Sequence, residues 1–247
     1  MVIGIDASRA FIEDRTGTEN YSLELIRAIL KLKKSRKHRF KLYVRAKAKV
    51  DVEIKKNRQV EMVEIKWPRL WTQGGLAVET WLRPPDVLFV PAHTLPVLRK
   101  PGLKTVVPIH GLEYEFLPEY YQWPQKLWLN KSTEYAVRQA DKLIAVSEWT
   151  KKQLIERLGA KAEKIRVIYE GIGGRIMVAK DRQFKPDYLR QISHKYGLPK
   201  DYILFVGTIQ PRKNLVRLIE AFSKVYKGPS FVKKDGPYLV IAGKLGW

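Results

Sequence analysis

Seven short apolar runs, at residues 2–5, 40–44, 60–65, 87–90, 105–109, 143–146 and 165–169, punctuate the first two thirds of this chain. Most are continuous rather than alternating. Strands of that kind are buried on both faces, as in a parallel sheet flanked by helices. Helical patterns fill the gaps. Tyr21, Leu25, Ile29 and Leu32 recur at helical spacing, Leu127, Lys131, Tyr135 and Val137 do so less cleanly, and Ser147 is placed to cap a helix over 149–158. The alternation predicts a doubly wound α/β domain.

A second series begins further on. Gly171-Ile172-Gly173-Gly174 closes the first, a polar segment over 180–186 carries the chain onward, and a helix is expected near 187–196. Apolar strands then follow at 202–206 and 238–242. The boundary falls near 172–181. The expected division is a Rossmann-like domain over 1–175 and a second Rossmann-like domain over 176–247, present only in part.

At 247 residues and 45% apolar content the chain can bury a substantial core. It has no cysteine, which excludes disulfides and Cys-ligated metal and fits a reducing compartment. The opening Met1-Val2-Ile3-Gly4-Ile5-Asp6 reads as a strand rather than a secretion signal. No apolar run approaches the roughly 20 residues that cross a bilayer.

Charge is heavily skewed: 47 Lys and Arg against 25 Asp and Glu give +22. Much of the excess lies between Lys31 and Arg58. Such a face attracts anionic headgroups by about 1 kcal/mol per basic residue near the surface, and attracts nucleic acid through counterion release. A solubilising lysine-rich surface accounts for it equally well. No recognition-helix or RNA-binding signature accompanies the charge, so nucleic acid is not the expected partner.

The stretch richest in chemistry lies near the end. The run 202–206 meets Gly207, and Pro211-Arg212-Lys213-Asn214 follows as the expected opening of an amphipathic helix. Free amides, the helix dipole and two cations converge there into a seat for a diphosphate. Two more segments fall where strands end: Gly17-Thr18-Glu19-Asn20-Tyr21 at the mouth of the first long helix, and His110-Gly111-Leu112 after the run 105–109. Open parallel sheets bind ligands at that edge, so two such domains facing one another would share a cleft.

These segments, taken in order, resemble the retaining glycosyltransferases of family four, which have the GT-B architecture. The second-domain signature is the run 202–206 with Gly207 and Thr208, then Pro211-Arg212-Lys213-Asn214-Leu215, then Leu239-Val240-Ile241-Ala242-Gly243-Lys244. The first domain agrees through Gly4-Ile5-Asp6-Ala7, Gly17-Thr18, Ile109-His110-Gly111-Leu112, Leu117-Pro118-Glu119-Tyr120-Tyr121 and the segment 140–147. The resemblance implies transfer of a hexosyl group, mannose or glucose, from a GDP- or UDP-linked sugar to a glycan or lipid-linked acceptor with retention. It puts Gly17 and Thr18 near the donor phosphates, Gly207, Arg212 and Lys213 on the diphosphate, and His110 against the transferring sugar as the catalytic residue. It implies no metal or other cofactor. It also implies a cytoplasmic enzyme of cell-envelope polysaccharide synthesis, peripheral on the inner face of the membrane. Glu19 stands where the family often has a second Gly, and Gly111 where it frequently has Asp. The family's paired-glutamate motif belongs to later sequence than is present here.

The chemistry asks for these residue types. Cleaving a glycosyl–phosphate bond leaves negative charge on the diphosphate and positive character on the sugar ring. Arg212 offers a bidentate fork and Lys213 a point charge for the first, and His110 a hydrogen-bonding ring for the second. His93 also follows a strand and is a candidate acceptor-side residue, whereas His38 and His194 are expected in solvent. Glu113 and Glu115 read as surface residues. Aromatic clusters at Trp67, Trp71 and Tyr114 to Trp128 suit either core packing or an interfacial acceptor site. The competing reading is a non-catalytic basic module that holds an anionic glycan, lipid or nucleic acid on the same scaffold.

Overall fold

The computed structural model describes residues 1–91, 93–116, 123, 125–172, 186–226 and 237–246. The chain divides into two compact units, Met1–Gly173 and Gly174–Trp247, each with its own sheet.

In the first unit seven strands form one sheet: β1 (Val2–Asp6), β2 (Arg39–Arg45), β3 (Val60–Ile65), β4 (Val87–Phe89), β5 (Lys104–Ile109), β6 (Lys142–Ala145) and β7 (Ile165–Val167). Their order is β3-β2-β1-β4-β5-β6-β7, and every pairing is parallel. The chain winds outward from β1 to β3, then returns to the other side of β1 at β4. That reversal leaves a crevice at the carboxyl ends of β1 and β4, because the loops leaving them diverge to opposite sides.

Continuous apolar strands require cover on both faces, and the sheet has two cores to match. Ile5, Phe40, Leu42 and Val44 pack with Leu23 and Ile26 of α1 (Gly17–Lys31) and with Ile54 of α2 (Val52–Lys55). On the opposite face Tyr43, Leu88, Val107, Ile109 and Leu143 pack with Trp71, Leu76, Ala136 and Leu154. Leu76 ends a π-helical turn, Thr72–Leu76, that runs into α3 (Ala77–Leu82). After a single turn α4 (Glu113–Phe116), α5 (Gln125–Gln139) carries Ala136 and α6 (Glu148–Leu158) carries Leu154. Each fully buried Leu or Ile contributes about 1.5–3 kcal/mol by leaving water.

Local chemistry sets the boundaries. Ser147 caps α6 by accepting from the Thr150 N–H at 3.0 Å, as its sequence position predicts, and Gly159 ends the helix in a left-handed conformation at φ 63°. Two expectations shift. The buried stripe of α1 is Ser22, Leu23 and Ile26, with Tyr21, Leu25 and Ile29 half-buried beside it and Leu32 exposed as the helix cap. Strand β7 stops at Val167, two residues early, because only the Ile168 N–H still reaches the sheet, at Ala145 O. Tyr169 and Glu170 therefore stand on a loop beyond the sheet edge.

The second unit contains α7 (Pro186–Tyr196), β8 (Tyr202–Val206), α8 (Leu215–Tyr226) and β9 (Tyr238–Ala242). The strands pair in parallel over all five residues. They are as apolar as those of the first unit, yet Ile203, Leu204 and Val206 are exposed. At their carboxyl ends the backbones come very close: a Cβ on Gly243 would lie 1.7 Å from the Gly207 carbonyl oxygen.

Candidate functional site

Strand endings of the first unit bring its site together. Asp6 ends β1, His93 lies in the loop after β4, and His110 immediately follows β5. All three sit at or beside the crevice where the winding reverses. Asp6 is buried, and burial raises its carboxyl above the ordinary range against the opposing pull of the Ser8 N–H and of Arg9 and Arg45. It accepts from Ser8 N at 3.0 Å, which folds the chain back at the end of β1.

His110 is held from every side. Nε2 lies 3.2 Å from Pro91 O, a carbonyl that only accepts, so this nitrogen carries a proton. Nδ1 lies 2.9 Å from Glu170 Oε1. That contact also needs one proton, on the ring or on the carboxyl. The His93 ring stacks on the imidazole at 5.5 Å and 16°, and Tyr21 of α1 meets it edge-on at 4.6 Å and 88°. Burial, with a smaller contribution from Glu170, pushes the Tyr21 phenol up to about 12, so it stays protonated.

His93 supports this arrangement from below. Its Nε2 accepts the backbone N–H of His110 at 3.2 Å, which places its own proton on Nδ1. Nδ1 is buried and has no partner among the described residues. Burial, helped by His110 and Arg9, pushes the His93 ring down to about 3. His93 is thus held as a neutral ring by the amide it accepts.

Gly17 and Thr18 are the first residues of α1 rather than part of a loop, and one turn later Tyr21 brings the helix against His110. Open space surrounds the Cα of Gly17, so packing does not demand a glycine there. Glu19 closes a capping box: its Oε2 accepts the Thr16 N–H at 3.1 Å and the Thr16 hydroxyl. The start of α1 therefore already holds a carboxylate. Arg9, 3.5 Å from Glu19 Oε1, offsets that charge.

In the second unit, Gly207 follows β8 and the two cations precede α8 rather than opening it. Pro211–Lys213 is a separate 3₁₀ turn, and Asn214 adopts a left-handed conformation at φ 52° that breaks the path before Leu215. Asparagine takes that conformation more readily than most residues. Arg212 and Lys213 are exposed. With the Gln210 amide oxygen turned toward it, the Arg212 guanidinium donates to that oxygen through Nε and Nη2.

The remaining candidates separate cleanly. His38 is half-buried with an unpartnered Nδ1 rather than solvated, while His194 is exposed. Glu113 is exposed and Glu115 half-buried on α4. Trp71 and Tyr114 belong to the core, whereas Trp67, Trp123 and Trp128 are exposed; Tyr120 and Tyr121 lie outside the described residues. A groove of about 530 Å³ runs beside α5, lined by Leu95, Val97, Trp128, Lys131, Tyr135 and Arg138. Glu170 is the member of the site that sequence reading missed. The signal was present: Tyr169-Glu170-Gly171 leaves a strand just as His110-Gly111 does.

Residues 15–173 match the model of Glycosyltransferase Family 4, so the chain belongs to that family. Among curated relatives, the serotype-specific mannosyltransferase WbdA of Escherichia coli is 27% identical over 99 residues, 40% of this chain and 12% of the relative. The O-antigen chain mannosyltransferase B of Escherichia coli is 23% identical over 145 residues, 58% of this chain and 36% of the relative. The chain thus spans about one eighth to one third of these relatives. Among solved structures, WaaG, a glycosyltransferase involved in lipopolysaccharide biosynthesis, superposes with a TM-score of 0.62 at 14% identity, over 98% of this chain and 63% of that one. A glycosyltransferase from Rickettsia africae ESF-5 gives 0.59 at 18%, over 98% and 60%. The architecture is GT-B with Rossmann-like parallel sheets.

Proposed function

We propose that this chain is part of a glycosyltransferase that moves a hexosyl group from a nucleotide diphosphate sugar to a glycan or lipid-linked acceptor with retention. The observation that carries the reading is the His110 site, built at the winding reversal of a Family 4 sheet from the ends of three parallel strands and the second turn of α1. Mannose is the favoured sugar, because both mannosyltransferase relatives share sequence with this chain. The nucleotide is GDP or UDP.

The division of labour follows charge. Arg212 and Lys213, both exposed in the second unit, supply the cations for the departing diphosphate. Arg212 is pre-oriented by Gln210, which lowers the cost of ordering it on a phosphate. Stabilised in this way, the diphosphate needs no metal, and one of its oxygens serves as the base for the acceptor hydroxyl. The groove beside α5, lined by Trp128, Lys131, Tyr135 and Arg138, suits an acceptor that pairs sugar or lipid with an anionic group.

Thermal stabilisation by a panel of GDP- and UDP-sugars, measured on the full-length protein and on its Arg212→Ala variant, tests the reading. One nucleotide sugar should raise the melting temperature of the wild type and do so much less in the variant. Equal stabilisation of both would remove Arg212 from the site. No helix among the described residues is long and apolar enough to cross a membrane, and the basic segment between Lys31 and Arg58 is proposed to hold the enzyme on an anionic leaflet. Flotation with anionic vesicles should carry the protein upward at low salt and fail at high salt; neutral vesicles floating it equally well would exclude that role.

A further inference from the structure

The turn that leaves β1 is packed almost shut. From Gly4 to Phe11 every residue is buried except Arg9. Hydrogen bonds fix the backbone: the Ala7 N–H reaches Tyr43 O at 2.9 Å, the Ala10 N–H reaches Ala7 O at 3.1 Å, and the Ser8 N–H reaches Asp6 Oδ1 at 3.0 Å. A turn so held presents one side chain to solvent, at the sheet edge where ligands bind.

That side chain is only partly engaged. It is 53% exposed, and its ion pair runs from Nη1 to Glu19 Oε1 at a long 3.5 Å. Nε and Nη2, which make the side-on fork of a guanidinium, have no partner among the described residues. Glu19 does not depend on Arg9 for its place, because the Thr16 N–H and hydroxyl already hold its other oxygen. Other cations of this edge are committed: Arg15 donates to Ile12 O at 2.9 Å, Lys49 pairs with Glu13, and Arg45 lies over the Trp71 ring at 5.6 Å. With a carboxylate already closing the start of α1, the positive charge that an anion can use in this part of the crevice is the guanidinium beside it.

We propose that Arg9 is a phosphate-binding residue of the first unit, donating from Nε and Nη2 to two oxygens of one phosphate. A planar fork matches that geometry, and a buried turn beneath it lowers the entropy lost on binding. The phosphate belongs to the diphosphate of the donor or to a phosphate-bearing acceptor, which present the same pair of oxygens. Assigning it to a substrate rests on the glycosyltransferase reading; the half-engaged guanidinium does not.

Two measurements on the full-length protein test this. In the first, calorimetry without acceptor gives the affinities of wild type and Arg9→Gln for inorganic pyrophosphate, GDP and UDP. In the second, KM is measured for donor and acceptor. Losing a charged fork should weaken the contact on the order of 10–100-fold. Weaker pyrophosphate and nucleotide binding assigns the phosphate to the donor, and a rise confined to the acceptor KM assigns it to the acceptor; either supports the site. No change in any of them overturns it. The pyrophosphate arm needs neither sugar nor nucleotide, so a loss there supports Arg9 even if no nucleotide sugar is turned over, a result that would overturn the transferase reading alone.

A purely structural Arg9 would act only by screening Glu19. The Arg9→Gln loss is therefore measured again in a Glu19→Gln background, where glutamine keeps the capping box without the charge. A loss that persists there is the expected result, because the fork itself is missing. A loss that vanishes would show that Arg9 merely neutralises Glu19 and would overturn the proposal. Arg9→Lys, which keeps the charge and lacks the fork, should recover only part of the affinity; full recovery would overturn the two-oxygen contact.

Discussion

The backbone N–H of His110 donates to Nε2 of His93 across 3.2 Å, joining the loop after β5 to the loop after β4. A ring that must accept at Nε2 has to remain neutral. Protonation would put a second donor in front of the His110 amide and a cation beneath the His110 ring.

A pH dependence follows. Burial drives His93 down to about 3 from the ordinary 6.5, so between those values the unfolded chain binds a proton that the folded chain refuses. The stability due to neutral His93 is complete above about 6.5. It falls as the pH drops toward 3, by up to about 1.4 kcal/mol per pH unit. Urea melts of the wild type and His93→Gln through this window should show a shallower fall in the variant, whose amide oxygen accepts the same N–H without titrating. Parallel slopes would mean that His93 protonates freely in the folded protein.

Asp141 gives a second acid-sensitive point, at the opposite end of the same strands. Its carboxylate accepts the Thr105 N–H at 2.9 Å and the Thr105 hydroxyl at 3.0 Å, and Lys104 pairs with it at 3.0 Å. Partial burial alone would raise its pKa, yet these partners together hold the group below the usual range. The resulting stability is present above the ordinary value of 3.8 and is lost as the pH falls through the lower folded value. Thr105 is buried, so Asp141→Ala strands its amide and hydroxyl and should cost about 1–3 kcal/mol in chemical denaturation at neutral pH. An unaltered midpoint would show that water replaces the carboxylate without loss.

Strand pattern carried most of the first unit. Continuous runs such as Val87 to Phe89 are legible because a strand buried on both faces has no polar positions to blur it. The strand-end rule likewise found His110 from sequence. It did not find its partner, because Ile168 and Tyr169 extend the apolar run of β7 past its last sheet bond and disguise a loop as strand. The role of His93 was hidden for a different reason: a histidine that accepts a backbone N–H from another loop depends on a contact 17 residues away. The helix expected to open at Pro211 illustrates a third limit. A left-handed Asn214 is one residue's conformational choice, and it turns two apparent first-turn cations into a preceding loop.

The second unit offers a stringent test at Gly243. A Cβ placed there would lie 1.7 Å from the Gly207 carbonyl oxygen and 2.7 Å from its carbon. Backbone cannot swing aside as a flexible side chain would, so an alanine must push the ends of β8 and β9 apart. The bond from Gly207 N to Ala242 O, 3.0 Å long, lies directly in the path of that movement. Gly243→Ala should destabilise this unit by about 1–3 kcal/mol, in the range of overpacked sites. Amide exchange of Phe205, Val206 and Gly207 should accelerate accordingly, while β1 and β5 keep their protection. Gly207→Ala is the matched control, because its Cβ would meet only the Phe205 ring, at 3.2 Å, and a ring can rotate. Equal effects from the two substitutions would show that the close backbone approach at Gly243 is not what fixes this strand pair.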